Sequence, residues 1–251
     1  MMRALGYAAL GTLFTFMMTT LGAATVFLLG RREDTRSQEI MLGFAGGVMT
    51  AASVWSLLLP AIEQAEAGPL PAWLPAAAGI VTGAVFLALL DALLPRLRRR
   101  SQDAEHRRNA LLFTAITLHN IPEGMAVGLA FALAADGESL AGAVALAVGI
   151  GIQNFPEGAA ISLPMRQMGK SRLRSFAGGM LSGVVEPVFG MAAVLVAAGV
   201  SGLMPWLLSF AAGAMLYVVV EELVPQSNTR GGVSGFMAGF LVMMILDVAL
   251  G

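Results

Sequence analysis

The chain has 251 residues, of which 57% are hydrophobic and only 12% are charged, and its mean hydropathy is +0.77. A soluble domain usually carries about a quarter charged residues, so this composition excludes a soluble globular protein and indicates a polytopic membrane protein. The net charge of −1 gives no indication of a nucleic-acid partner, and the lack of cysteine excludes disulfides, thiolate metal sites and cysteine nucleophiles.

Eight apolar segments are predicted to cross the membrane, because each has about the 20 residues needed to span a hydrocarbon core. The first, Ala4 to Gly30, is too long for the core of a signal peptide, which is typically about 7–15 residues. We therefore expect an all-α membrane protein with a single transmembrane domain and no soluble domain. The predicted spans are 4–30, 39–61, 72–95, 109–135, 139–164, 173–200, 202–225 and 232–250.

The basic residues predict the orientation of these spans. Fourteen of the fifteen lysine and arginine residues fall in, or within two residues of, the four loops that follow spans 1, 3, 5 and 7, and only Arg3 lies elsewhere. Loops rich in lysine and arginine stay in the cytoplasm, so both termini are predicted to lie outside, in the periplasm of a plasma (inner) membrane protein. The longest of the four loops, about residues 96–108, is predicted to be a charged cytoplasmic linker.

Two related polar motifs lie in spans 4 and 5. The sequence HNIPEG begins at His119, and QNFPEG begins at Gln153. Ionisable groups inside a span cost several kcal/mol unless they are paired or hydrated, so their presence indicates function. Pro122 and Pro156 each lack an N–H, so we expect both helices to be broken there and to free a carbonyl for a cation or water.

The polar side chains of each motif are expected to share one helix face, because residues three or four apart on a helix are neighbours. Together with a glutamate of span 6 they offer one imidazole, three carboxylates and several amide oxygens. Mixed nitrogen and oxygen ligands without a thiolate suit Zn²⁺, Fe²⁺ or Mn²⁺. The predicted ligands are His119, Asn120, Glu123, Gln153, Asn154, Glu157 and Glu186.

The duplication of N-x-P-E-G on adjacent, antiparallel spans predicts an inverted repeat. Spans 4 and 5 would face each other across a pseudo-two-fold axis, with three spans on either side, in a 3+2+3 arrangement. Transporters place their substrate sites at such an axis, on interrupted helices near the midplane. Gly124 and Gly158 are expected to let these two helices approach each other closely.

These motifs resemble those of the ZIP (Zrt/Irt-like) divalent metal transporters, and the resemblance to the prokaryotic GufA-like branch covers essentially the whole chain. The further stretches that carry it are LGFAGGVMTAASVWSLLLPAIE in span 2, GVVEPVFG in span 6, AAGAMLYVVVEELVP in span 7 and the final LDVALG.

The resemblance implies inward transport of Zn²⁺, often with Cd²⁺, Fe²⁺ or Mn²⁺ also accepted, by a homodimer that needs no organic cofactor. It also implies an elevator-like movement of spans 1, 4, 5 and 6 against spans 2, 3, 7 and 8. The implied centre is binuclear, with Glu123 and Glu157 bridging its two positions. Many relatives carry an aspartate or histidine at such a place. Asn154 therefore leaves the second position without the negative charge that an aspartate would supply.

Each implied position of the binuclear centre has its own ligand set. The first would use His119, Glu123, Gln153 and Glu157, and the second would use Asn120, Glu123, Asn154, Glu157 and Glu186. The residues implied along the transport path are Met49, Ser56 and Glu63 from the outside to the site, and Glu221 and Glu222 at the cytoplasmic exit. No role is predicted for Asp91 or Asp247.

Two other functions are compatible with a metal site in the membrane. An intramembrane metal-dependent hydrolase would use the ion to activate water, but such enzymes usually present two histidines in an H-E-x-x-H arrangement, and only His119 lies within a span here. A metal-selective channel or a proton-coupled carrier would keep the transport function, and the sequence leaves both open.

Overall fold

The structure is a computed structural model, and it describes residues 2–28, 35–98, 104–137, 139–167, 169–199 and 202–250. All regular structure in these ranges is helical. The elements are α1 (Met2–Ala24), a 3-10 turn (Thr25–Phe27), α2 (Thr35–Ala52), a π-helical turn (Ser53–Leu58), α3 (Leu59–Glu66), α4 (Trp73–Arg98), α5 (Ala104–Asp136), α6 (Leu140–Gln167), α7 (Arg172–Gly183), α8 (Val185–Gly199), α9 (Met204–Val218), a second π-helical turn (Val219–Leu223), α10 (Val224–Gln226) and α11 (Arg230–Leu250).

Seven helical segments of the described chain are long and apolar enough to cross a membrane, as expected for an integral membrane protein. The one expected span that is not among these seven is span 4, residues 109–135. It lies within α5, whose apolar part over the described residues is the shorter stretch Asn120–Ala135. The count of eight spans therefore stays a prediction. The seven segments are Met2–Phe27, Glu39–Glu66, Trp73–Leu90, Leu140–Leu163, Arg172–Ala198, Met204–Gln226 and Arg230–Ala249.

A π-helical turn precedes a proline at two places in the fold. Between α2 and α3, the residue before Pro60 donates its N–H to the carbonyl of Val54, five residues back. Between α9 and α10, the residue before Pro225 donates in the same way to Val219. Because the proline ring cannot donate to the carbonyl four residues back and crowds it, the helix is expected to widen at such a point.

The prolines of the two motifs do not break their helices, so that prediction is wrong: α5 continues through Pro122 and α6 through Pro156. One lost hydrogen bond is tolerated in a membrane helix when neighbouring groups compensate. A break occurs instead at Val184, between α7 and α8. Pro187 contributes to this break, because it cannot donate to the carbonyl of Gly183 and its ring crowds that carbonyl.

The helices pack as two groups. In the first group (α1, α5, α6, α7 and α8), α1 packs along α6, and α5 packs along α8. In the second group (α2, α3, α4, α9, α10 and α11), α2 packs along α11, and α4 packs along α9. The groups meet where α6 contacts α2 and α11, and where α5 contacts α9. Their members correspond to the expected spans 1, 4, 5 and 6, and 2, 3, 7 and 8.

Glycines bring helix backbones into contact inside each group. A Cβ atom on Gly158 would collide with the backbone of α1, one on Gly124 with the backbone of α8, and one on Gly47 with the backbone of α11. At the boundary between the groups, Gly149 instead faces the flexible thioether of Met243. Each group is therefore held by close backbone packing, whereas this glycine at the boundary packs against a side chain.

The prediction that Gly124 and Gly158 bring α5 and α6 together is wrong. The preceding residue in α5, Glu123, faces α6 through a hydrogen bond with Gln153. Successive residues on an α-helix point about 100° apart, so the glycine that follows this glutamate turns towards a different neighbour, α8.

Candidate metal centre

The two motifs meet through a side-chain pair that joins α5 to α6. The Nε2 atom of Gln153 donates a short hydrogen bond to Oε1 of Glu123, and both side chains are fully buried. A neutral amide supplies no positive charge, so it cannot neutralise a carboxylate that accepts its hydrogen bond. The pair therefore fixes a carboxylate at the centre of the first group without balancing its charge.

A second pair fixes Glu186 at the start of α8. The Nδ2 atom of Asn154 donates to Oε2 of Glu186 at 2.9 Å, and the hydroxyl of Thr19 donates to Oε1 at 3.0 Å. The three side chains are fully buried and come from α6, α8 and α1. Glu186 is thus held on both oxygens, and α1 takes part in the site.

Asn120 reaches the break in the helix of the sixth expected span. Its Nδ2 atom donates to the carbonyl of Ser182 at 2.9 Å. This carbonyl lies in the last turn of α7, where helix carbonyls lose their partners within the helix. The amide nitrogen of Asn120 therefore stabilises the end of α7 and is not available to a ligand.

The side chains of the two motifs donate their amide N–H groups to protein acceptors, but several of their oxygen atoms accept no hydrogen bond. Three amide oxygens and two carboxylate oxygens, buried on α5 and α6, have no hydrogen-bond partner in the described structure. An unsatisfied buried polar atom costs about 1–3 kcal/mol, so five on adjacent helix turns are unusual and call for an explanation. The five atoms are Asn120 Oδ1, Glu123 Oε2, Gln153 Oε1, Asn154 Oδ1 and Glu157 Oε2.

Three glutamate side chains lie close enough here to interact with one another. Glu123 interacts electrostatically with Glu157 and Glu186, and Glu157 also interacts with Glu186. The sequence from Asn109 to Met165 contains no lysine or arginine. Buried carboxylates repel one another at low dielectric, and a bound cation would relieve this repulsion while supplying a partner to the free oxygens.

The carboxylates alone do not converge on one ion. Among the described side chains, no group of three or more histidine, aspartate or glutamate residues is close enough to hold a metal. The amide oxygens of Asn120, Gln153 and Asn154 are therefore needed to complete a ligand set. The side chain of His119, the predicted nitrogen ligand, lies outside the part of the chain that the structure describes.

Ser56 and Glu63 lie away from this centre, in a cavity of about 230 Å³ where both groups meet. The hydroxyl of Ser56 donates a short hydrogen bond to Oδ1 of Asp247, whose Oδ2 is buried without a partner. Residues of α5 and α6, such as Leu133 and Ala143, form the other wall of the cavity. Ser56 lies in the π-helical turn before α3.

The two glutamates of the second π-helical turn differ in their surroundings. Glu221 is exposed, whereas Glu222 is half-buried and interacts electrostatically with Glu157. Among the buried carboxylates of the centre, Glu157 is the one with measurable exposure, at 5%. Met49 is fully buried in the core of the protein.

Sequence reasoning missed Thr19 and Asp247. A signal for Thr19 was present, because Thr12, Thr15 and Thr19 repeat on one face of an otherwise apolar helix, and all three are buried. The signal for Asp247 was its place near the end of a span, where an ionisable residue indicates function.

Comparisons with known proteins show which family this chain resembles. Residues 101–247 match the family described as ZIP zinc transporter. The zinc transporter GufA of Myxococcus xanthus is 38% identical, over 98% of this chain and 100% of its own. The zinc transporter ZIPB of Bordetella bronchiseptica is 38% identical, over 98% of this chain and 82% of its own. The human zinc transporter ZIP11 is 36% identical, over 97% of both chains.

Proposed function

Because this chain belongs to the ZIP zinc transporter family, we propose that it carries Zn²⁺ across the membrane through the centre formed by α5, α6 and α8. The protein is a transporter of divalent metal ions and not an enzyme, so the hydrolase alternative is set aside. Fe²⁺ and Mn²⁺ are further candidate substrates, because the same mixed ligand set suits them. Cd²⁺ is a candidate that the family resemblance implies.

The observation that carries the proposal is the set of five buried oxygens without partners. A structural role for the motifs would predict that their acceptors are satisfied by the protein, as most buried polar groups are. Here the amide nitrogens of Asn120, Gln153 and Asn154 are all engaged, and the amide oxygens are all free. Such a surface of acceptors suits a cation and does not suit an anion.

We propose two ion positions of unequal strength. The first would use His119 with Glu123, Gln153 and Glu157. The second would use Asn154 and Glu186 beside Asn120 and the two bridging glutamates. Both oxygens of Glu186 already accept hydrogen bonds, from Asn154 and Thr19. An ion at the second position would therefore stabilise the site less than an ion at the first.

The cavity with Ser56, Glu63 and Asp247 is the proposed entrance. It lies at the boundary between the groups, and it offers Asp247 Oδ2 as a free buried acceptor. Glu222 is the proposed exit residue, because it interacts with Glu157 from the opposite group. With the orientation predicted from the basic loops, this path leads from the periplasm to the cytoplasm.

Alternating access is proposed to occur by movement of the first group against the second, in an elevator-like manner. The packing supports this proposal, because glycine-mediated backbone contacts hold helices together within each group, whereas Gly149 at the boundary meets the flexible side chain of Met243. A channel would not require two separately packed bodies. The homodimer remains part of the proposal, with the second group as its scaffold.

An eight-span, 3+2+3 inverted repeat is supported by the pattern of helix pairs. Exchanging spans 1 with 6, 2 with 7, 3 with 8 and 4 with 5 converts the α1–α6 pair into the α5–α8 pair, and the α2–α11 pair into the α4–α9 pair. The same exchange relates the two spans that contain π-helical turns. In this proposed repeat, α5 and α6 would lie at the centre.

Uptake of Zn²⁺ into proteoliposomes loaded with a fluorescent indicator tests the function. The Glu157→Ala variant is expected to lose uptake, because it removes a free carboxylate oxygen and a bridge between the two positions. Glu66→Ala is the matched control, since Glu66 is exposed at the end of α3 and should leave uptake unchanged. Normal uptake by a correctly inserted Glu157→Ala variant would overturn the proposed site.

A further inference from the structure

Thr19 of α1 contacts the candidate centre but belongs to neither proposed ligand set. Its side chain is fully buried, and its hydroxyl donates to Oε1 of Glu186 at 3.0 Å. Thr15, one turn earlier on the same helix, is also buried and forms a hydrogen bond with the same glutamate. The helix α1 therefore brings two hydroxyl groups to a carboxylate of the proposed second ion position.

Glu186 differs from the other two glutamates of the centre in its hydrogen bonds. Glu123 and Glu157 each have a buried oxygen without a partner in the described structure. Both oxygens of Glu186 accept a hydrogen bond, Oε1 from Thr19 and Oε2 from Asn154. A hydroxyl or amide donor occupies lone pairs that a cation would otherwise use, so these donors compete with an ion for Glu186. They stabilise the metal-free form of this one position.

The hydroxyl of Thr19 has a second acceptor within reach. Its Oγ1 atom lies 3.3 Å from the carbonyl oxygen of Thr15, in the preceding turn of α1. A hydroxyl carries one hydrogen, which rotates about the C–O bond, so it can be donated to Glu186 or to this carbonyl. Threonine side chains within helices are able to bond the carbonyl four residues back. The hydroxyl can thus release Glu186 to an ion without losing a partner of its own.

Thr19 and Glu186 meet beside Gly183, at the end of α7. A Cβ atom on this glycine would lie 3.0 Å from the methyl carbon of Thr19 and 3.1 Å from Oε1 of Glu186. A side chain at this position would therefore crowd both members of the pair. The glycine leaves the space in which α1 and α8 bring the hydroxyl and the carboxylate together.

We propose that Thr19 sets how tightly the second position holds Zn²⁺, by exchanging with the ion at Oε1 of Glu186. When an ion binds, the hydroxyl turns to the carbonyl of Thr15. When the ion leaves, the hydroxyl takes its place on the carboxylate. Thr19 is a positioning residue, because it acts on the ion through Glu186. This inference rests on the proposed transport of Zn²⁺ through the centre.

The Thr19→Val variant tests the exchange, because valine keeps the branched shape of threonine and lacks the hydroxyl. Without the competing donor, the second Zn²⁺ should bind about tenfold more tightly, or become measurable if the native protein holds one ion only. A more tightly held ion leaves more slowly, so KM and kcat for uptake into proteoliposomes should both fall several-fold. A residue that only supports the fold would leave KM and the affinity unchanged. Isothermal titration calorimetry of the purified protein with Zn²⁺ measures the affinity without transport.

Two further variants separate the hydroxyl from its surroundings. Thr19→Ser keeps the hydroxyl and should restore the native affinity and KM. Thr20→Val is the matched control, because the Thr20 hydroxyl donates to the carbonyl of Phe16 at 2.9 Å in its own helix, and it should behave as the native protein does. Thr19→Ala, which also removes the hydroxyl, replaces Thr19→Val if the valine variant does not insert.

Three results would overturn the inference. An unchanged affinity for the second ion in Thr19→Val would show that the hydroxyl does not compete with it. Equal behaviour of the valine and serine variants would assign the effect to packing. Weaker binding in Thr19→Val would make the hydroxyl a ligand of the ion rather than its competitor. If the native protein binds Zn²⁺ and does not transport it, the proposed function fails, and the titration alone decides the inference.

Discussion

Replacing Asn154 with aspartate would place two carboxylates in direct contact inside the membrane. The side chain keeps its size, so the change is one of charge. In the native protein the amide of Asn154 donates to Oε2 of Glu186 at 2.9 Å. In the variant this donor becomes an acceptor with a negative charge, and the new pair has no counter-ion among the described side chains.

The size of the effect follows from the distance. Loss of a hydrogen bond to a charged acceptor costs about 1.5–3 kcal/mol. Two unit charges 2.9 Å apart repel by about 6 kcal/mol at an effective dielectric constant of about 20. A shared proton relieves part of this repulsion, so we expect the metal-free variant to be less stable by at least about 2 kcal/mol. A divalent cation between the carboxylates removes the repulsion, and each 1.4 kcal/mol recovered tightens binding about tenfold.

Thermal unfolding of the purified Asn154→Asp variant, with Zn²⁺ and with chelator, measures both effects. We expect a lower melting temperature without metal, a larger rise on adding Zn²⁺ than in the native protein, and a second bound ion by elemental analysis. The Asn154→Ala variant loses the same hydrogen bond without adding charge, so it should melt lower but gain no extra response to Zn²⁺. If Asn154→Asp responds to Zn²⁺ no more than the native protein, then Asn154 does not belong to an ion position.

Other predictions follow from the boundary between the two groups. The chain has no cysteine of its own, so a disulfide between Gly149→Cys and Met243→Cys can link the groups, and it should stop Zn²⁺ uptake until it is reduced. A disulfide within the second group, between Gly46→Cys and Phe236→Cys, should leave uptake intact; equal inhibition by both would contradict a movement between groups. The Glu222→Gln variant should take up Zn²⁺ several-fold more slowly, because the change removes a carboxylate that interacts with Glu157. The Glu221→Gln variant should have nearly normal uptake, because Glu221 is exposed. Identical rates for these two variants would count against an exit beside Glu222.

The sequence allowed the membrane class and most helix positions to be predicted, whereas the ligand set of the candidate centre stays a prediction. Spans are readable because a membrane helix must be apolar over its whole crossing, whatever its neighbours are. The centre was readable because polar groups are costly there, so their positions alone indicate function. The structure brings Gln153 to Glu123 and Asn154 to Glu186, and all four lie within the predicted ligand set.

The details that failed depend on which neighbour each helix face meets. Gly124 faces α8 rather than α6. The sequence alone does not determine how a helix is rotated about its axis, so it does not show which neighbour each face contacts. The prolines show the same limit: Pro60 and Pro225 follow π-helical turns, whereas Pro122 leaves its helix continuous. The ring removes the same hydrogen bond in each case, so the surrounding packing decides the result. The partner of Glu186 on α1 was missed for this reason too, since no motif links residues 167 positions apart.

The fully buried oxygens at the centre also bear on which ions can pass. Oxygen ligands alone would favour Mg²⁺, the hard cation against which a zinc carrier must discriminate. Yet Mg²⁺ gives up its water reluctantly and usually keeps several molecules in its first shell. Asn120, Glu123, Gln153 and Asn154 have no exposed surface at all, so an ion that binds them must shed most of its hydration shell. The cost of dehydration, rather than the softness of the ligands, would then be the main cause of selection against Mg²⁺. The imidazole of His119 would add a smaller preference for Zn²⁺.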